Sequence, residues 1–204
     1  MENTLFPPIS ELLERSSARH DHLCPRQVLG VRMGLAGLAA LGLAAPVCKK
    51  SALVIIETDG CFADGIEVAT GATVGHRTLR IDDMGKLAAT FADVSSGRAV
   101  RVAPMPDVRQ RALAYAPHEA RHYFAQLQAY QVMPDGELFR YRDVVLDPPI
   151  EVLISRPAVR VNCSICGEEI INERQVLVDG SLLCRACAGR GYYLAEPLCV
   201  VRHA

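Results

Sequence analysis

The sequence predicts a main body that mixes helices with short strands, followed by a small cysteine-rich module. Three observations carry this. Helical stretches alternate with short apolar, β-branched runs over the first three quarters of the chain. The chain has 204 residues, 50% of them hydrophobic, which is enough to bury a core without a metal or a disulfide. Four of the 8 cysteines form two Cys-x-x-Cys pairs near the C-terminus, Cys163 with Cys166 and Cys184 with Cys187. A main domain over 1–155 and a module over 156–204 are therefore expected, with Pro148, Pro149 and Pro157 punctuating the linker.

Each element has a local cause. Ser10 can cap a first helix over 10–19, with Glu11 and Glu14 favourably placed in its opening turns. Pro25 fits the first turn of a second helix that runs to residue 44. Gly30, Gly34, Gly37 and Gly42 are spaced along it as on a tightly packed face, so another helix or a second copy of the chain can approach closely. Residues 28–48 resemble a membrane span, but Arg32 interrupts them and Pro46 ends them. The uncharged remainder is shorter than the roughly 18 to 20 residues that cross a bilayer, so a buried core helix is expected. Residues 51–58 read as a buried strand, turned at Asp59-Gly60, and residues 61–70 as a helix stopped by Gly71. Strands are expected over 76–81, 86–94 and 98–103, with Ser95-Ser96-Gly97 as a hairpin turn between the last two. Helices over 107–114 and 118–133 close the main body.

Charge and cysteine usage exclude several classes. The formal net charge is −1 and no basic stripe is present, which argues against a dedicated nucleic-acid binder. Glu2 and two prolines stand where a secretory signal would carry a basic and then an apolar region. A cytoplasmic protein is expected, with its cysteines as metal ligands and buried thiols, not disulfides.

The two Cys-x-x-Cys pairs have the separation that lets four thiolates close around one tetrahedral ion, zinc or iron. Such a site has no open position, so it builds structure and does no chemistry. A second constellation is His20-Asp21-His22-Leu23-Cys24-Pro25. In an extended segment His20, His22 and Cys24 point the same way, and a helix N-terminus beside Cys24 favours its thiolate. Cys61, between a buried strand and a helix, supplies a fourth group, with Asp64 one turn further on. On spacing alone this pattern reads equally as a ligand set or as a polar loop beside a buried cysteine. His118-Glu-Ala-Arg-His122 matches the zincin pattern literally, but its plain reading is a polar helix face. Cys48 and Cys199 read as buried or idle thiols.

At these residues the chain resembles the FmdE family, small proteins linked by name and gene context to formylmethanofuran dehydrogenase, a molybdenum or tungsten enzyme of one-carbon metabolism. The family's opening His-Gly-His-x-Cys-Pro-Gly is matched at His20, His22, Cys24 and Pro25, with Gly30 and Gly34 behind them. A cysteine and an aspartate after the first strand are matched at Cys61 and Asp64. The Thr-Gly-Cys-Thr-x-Gly segment is matched at Thr70, Gly71, Thr73 and Gly75, and Asp-x-Gly-Lys at Asp83, Gly85 and Lys86. Many members end in the same four-cysteine finger and a Tyr-Tyr such as Tyr192-Tyr193. Asp21 and Arg26 replace two glycines of the opening motif, Ala72 replaces a frequent cysteine, and His76 replaces a lysine.

The resemblance implies an α+β core with helices on one face of a mixed β-sheet, similar to the catalytic domain of glyceraldehyde-3-phosphate dehydrogenase, plus the C-terminal zinc finger. It also implies a metal-binding cleft and an intertwined homodimer. Within it, Cys163, Cys166, Cys184 and Cys187 are expected to hold structural zinc. His20, His22, Cys24 and Cys61 are expected to hold a second metal, with zinc the best fit, and Asp64 and His76 beside Cys61 to orient a ligand or move a proton. Lys86 and Arg101 are read either as anion or substrate contacts or as surface salt bridges. Three functional readings follow. One is an accessory or regulatory subunit of a molybdenum or tungsten oxidoreductase, and another is a free-standing zinc enzyme using the core cleft. The third, a nucleic-acid or transcription partner working through the finger, is disfavoured by charge balance and by the finger's few aromatics.

Overall fold

The computed structural model describes residues 6–154 and 158–193, which fall into two compact units divided between Ile150 and Glu151. The first is built as follows. Helix α1 (Ile9–Ser17) starts after Pro8, so Ser10 lies inside its first turn instead of capping it. Helix α2 (Pro25–Ala40) opens on Pro25 and ends short of residue 44. Gly42 takes φ of 72°, and the N–H groups of Gly42 and Leu43 donate to the carbonyls of Ala39 and Leu38, a Schellman closure. Strand β1 (Ala52–Ile56) leads into helix α3 (Cys61–Thr70), which has the predicted bounds, with left-handed Gly71 at its end.

Strands β2 (Leu79–Ile81), β3 (Ala89–Asp93) and β4 (Ala99–Pro104) are each shorter or shifted relative to expectation. Helices α4 (Val108–Tyr115), α5 (His122–Val132) and the single turn α6 (Asp135–Leu138) precede β5 (Phe139–Val144), a strand not among those expected. The strand order is β2-β1-β3-β4-β5, with β1 and β2 parallel and the other pairs antiparallel, so the sheet is mixed. This is the α+β arrangement the resemblance implied.

Helix α2 is the axis of the core. Val28, Val31, Met33 and Leu38 are fully buried, and the glycine stripe is consumed inside the chain itself. A methyl on Gly65 of α3 would lie 2.5 Å from the Gln27 carbonyl, and one on Gly34 would lie 2.8 Å from Ala69 Cβ. Gly37 rests on the ring of Phe91 from β3. The helix that approaches α2 is therefore its own α3. Arg32, which breaks the apolar run, is spent on the end of α5: its guanidinium donates to the carbonyls of Tyr130 (2.9 Å), Gln131 (3.1 Å) and Met133 (2.7 Å) and pairs with Asp135 (2.6 Å). It thereby satisfies carbonyls that a helix C-terminus leaves open. No helix among the described residues is long and apolar enough to cross a membrane.

The second unit holds two short antiparallel hairpins, β6 (Arg160–Asn162) with β7 (Glu169–Ile171) and β8 (Val176–Val178) with β9 (Ser181–Leu183), then a wide helical turn at Ala186–Arg190. Among its described residues the apolar centre is Cys163, Ile170 and Leu183, with a few half-buried neighbours. So small a core needs a metal or comparable cross-link to hold it.

Candidate metal centre and core cleft

Cys163 and Cys166 sit in the knuckle after β6, and Cys184 and Cys187 follow β9. Gly167 turns the first knuckle with φ of 76°, donating its N–H to the Cys163 carbonyl at 3.0 Å. The four sulfurs lie within 4.8 Å of one another, and Cys166 Sγ is 4.0 Å from Cys184 Sγ. Tetrahedral zinc at about 2.3 Å from each sulfur needs sulfurs about 3.8 Å apart, so the quartet fits the ion with little movement. The amides of Cys184 and Cys187 donate to Cys163 Sγ and Cys184 Sγ, each at 3.3 Å, as expected for thiolate acceptors. Backbone N–H donation pulls the Cys163 thiol down to about 6, while the hydrogen bond from Cys184, burial and the other crowded thiols push Cys187 up to about 12. Bound zinc removes that conflict by taking all four as thiolates.

The core cleft is assembled by two helix starts. Cys24 is the extended residue before α2, and Cys61 is the first residue of α3. Buried Gln27 fixes the former: its Oε1 accepts from the Cys24 N–H at 2.8 Å, and its Nε2 donates to the Ser16 carbonyl at the end of α1, also at 2.8 Å. The Cys61 thiol lines the same cavity as that of Cys24, and burial first, then this neighbouring thiol, raises its pKa. Both thiols and His22 line a cavity of about 610 Å³ whose far wall comes from the segment after β4 and from Tyr123, Gln126 and Tyr130 of α5. Burial, reinforced by the two thiols, raises the Tyr123 hydroxyl.

The other expected site residues are distributed differently. His20 does not line the cavity, its Nε2 lying 2.6 Å from Asp64 Oδ2, and Arg19 bridges Asp64 (3.1 Å) and Glu67 (2.6 Å). Among the described residues the finger quartet is the group of three or more whose ligand atoms gather closely enough for a metal. His20, His22, Cys24 and Cys61 are thus not drawn together as one ligand set: Cys24, Cys61 and His22 line one cavity, and His20 is held by Asp64. His76 is exposed in a turn before β2, with Nδ1 2.8 Å from Thr73 Oγ1, and it does not line the cavity.

Lys86 and Arg101 are gathered around Glu57 instead of the cleft. Arg101 makes a two-pronged pair with Glu57 at 2.5 and 2.7 Å, and Lys86 adds a further positive field. Together they hold the Glu57 carboxyl below its ordinary value, chiefly through the Arg101 hydrogen bonds. His118 lies in a turn outside α5, so the His-Glu-x-x-His pattern is not a helix face. Cys48 is exposed, and Cys199 lies outside the described residues. Sequence reasoning missed Arg109, Tyr123, Gln126 and Tyr130, which carry no motif and reach the cavity only through the fold.

An α+β domain with two helix-start thiols in one cavity, joined to a four-cysteine finger, defines a metal-binding protein of two units. A family model described as FmdE, molybdenum formylmethanofuran dehydrogenase operon, matches residues 19–140, and the prokaryotic DksA/TraR C4-type zinc finger matches residues 158–193. The chain belongs to the FmdE family. It is 30% identical over 206 residues to a protein of Archaeoglobus fulgidus named probable S-adenosyl-L-methionine-binding protein, a match covering 90% of this chain and 54% of that one. The chain thus spans about half the length of that curated relative. A crystal structure of an FmdE-like protein of the tungsten formylmethanofuran dehydrogenase type, from Syntrophus aciditrophicus, matches with a TM-score of 0.56 at 23% identity, over 94% of this chain and 98% of that one.

Proposed function

We propose that this FmdE-family protein is a metal-handling accessory or regulatory subunit for a molybdenum or tungsten oxidoreductase of the formylmethanofuran dehydrogenase type, in one-carbon metabolism. The observation that supports it is that Cys24 and Cys61, at the starts of separate helices, line one solvent-accessible cavity together with His22. Two thiols and an imidazole suit zinc, and these three are the residues that would hold it. Bound there, zinc would supply a Lewis acid with an exchangeable position. Binding must displace the proton from Cys61, which its buried setting retains. The same three-group set is what favours the second reading, a free-standing zinc enzyme, because it leaves one position for water.

Metal analysis of protein purified without added metal tests the cleft. Two zinc equivalents are expected, falling to one in Cys61→Ala and in His22→Ala while the finger keeps its own. Unchanged metal content in both variants overturns the cleft metal. Co-purification with larger subunits separates the accessory role from the enzyme, in which a lone chain would carry a metal-bound exchangeable water. Homodimerisation is proposed on the resemblance alone, since the glycine-rich face of α2 is filled by α3. Sedimentation at micromolar concentration tests it, and a monomer there removes it.

A further inference from the structure

We propose that the core cavity admits a small organic anion, a carboxylate or phosphate ester carried on an apolar body, with Arg26 and Arg109 as its counter-charges. The inference concerns the same cleft as the proposed function but does not depend on its metal. Its volume of about 610 Å³ lies within the range of about 300 to 1,000 Å³ that small-molecule sites occupy. Leu29, Met105, Val108 and Tyr123 give it apolar and aromatic walls, while its charged lining is Arg26 and Arg109 with no carboxylate among the lining residues.

Several other arginines of this unit are neutralised by a carboxylate, which these two are not. Arg19, Arg32, Arg101 and Arg111 are each paired with a carboxylate. Arg26 and Arg109 are both exposed and have no ion-pair or hydrogen-bond partner among the described residues. Guanidinium groups bind carboxylate and phosphate through a planar fork, and two facing one cavity select for negative charge there. Arg26 also lies in the opening turn of α2, which contains no acidic residue, so the positive end of that helix is not neutralised locally. The thiols of Cys24 and Cys61 and the arginines share one cavity, so a ligand held at its charged end would bring its apolar body towards the thiols or a metal on them.

Titration of the full chain with benzoate, phenyl phosphate, benzyl alcohol and benzylamine at low ionic strength tests this, by calorimetry or NMR line broadening. The expected result is binding of one or both anions, with the alcohol and the amine at least about tenfold weaker, and loss of anion affinity by at least about tenfold in the double variant Arg26→Gln/Arg109→Gln. Both side chains are exposed and unpaired, so the double variant should keep the parent's unfolding midpoint, and the selectivity among probes on the unaltered chain needs no variant. Equal binding of the alcohol and the anions, undiminished anion binding in the double variant, or no binding of either anion overturns the proposal. The metal reading fails separately. Cys61→Ala should lose cleft metal and keep anion binding, whereas the double arginine variant should keep the metal; anion binding lost in Cys61→Ala with its fold intact would overturn a site built on the arginines alone.

Discussion

Glu57 shows how a single side chain couples the sheet to pH. It follows the end of β1 and draws Arg101 of β4 across the intervening β3 into a pair whose side chains are only 14% and 26% exposed. The carboxyl is held below its ordinary value of 4.5, chiefly by the Arg101 hydrogen bonds. A depressed folded-state pKa gives stability that is fully present above the unfolded value and is lost as pH falls through the folded one. Urea unfolding of Arg101→Gln should therefore show a loss of about 1 kcal/mol at pH 7, with the difference from the parent shrinking once the pH drops below about 4. A gap that persists unchanged at low pH would contradict the pair. The sequence left Arg101 open between anion contact and salt bridge, because strand register decides which carboxylate it meets. The glycine stripe was legible, since residues without side chains at helical spacing announce a close approach. Gly65→Ala should cost about 1–3 kcal/mol in the same assay, because its methyl would press on backbone that cannot yield.

At the scale of elements, α3 was readable to the residue because Gly60 and Gly71 punctuate both ends with positive φ, a backbone demand that composition reveals. The start of α5 was not readable. His118, Glu119 and Arg121 look helical, yet the chain turns there and the helix begins only at His122. Strand β5 escaped because its alternation, Phe139-Arg140-Tyr141-Arg142, lasts only four residues before Asp143 breaks it, and it lacks the apolar run that marks a buried strand. The end of α5 depends on a residue from another helix. Arg32→Met should remove the cap on the carbonyls of Tyr130, Gln131 and Met133 and cost about 1–3 kcal/mol. Hydrogen exchange should speed up in the last turn of α5 and leave α3 unaffected; uniform acceleration across the domain would point to a global role for Arg32.

At the scale of the whole molecule, two units of different physical origin should unfold separately. The first buries a large apolar core, whereas the second, among its described residues, buries Ile170 and Leu183 against a four-cysteine cluster that includes buried Cys163. Cys184→Ser should release one zinc and open residues 158–193 to protease, while the unfolding midpoint of the first unit stays put. Retention of the metal with full protection would refute the quartet as its ligand set. The finger was legible because its ligands come in two local pairs, and spacing alone encodes the geometry. The cleft was legible only in part: Cys24 and Cys61 could be chosen because each marks a helix start, but the cavity wall is gathered from α5 and from the segment after β4, and no local pattern records that meeting. The Gln27 amide carries one more consequence. Because it ties the Ser16 carbonyl to the Cys24 N–H, α1 acts as the footing on which the cleft's first thiol stands. Disturbing that helix would strand a buried amide and loosen the backbone that carries the Cys24 thiol, in a cavity that α1 does not line.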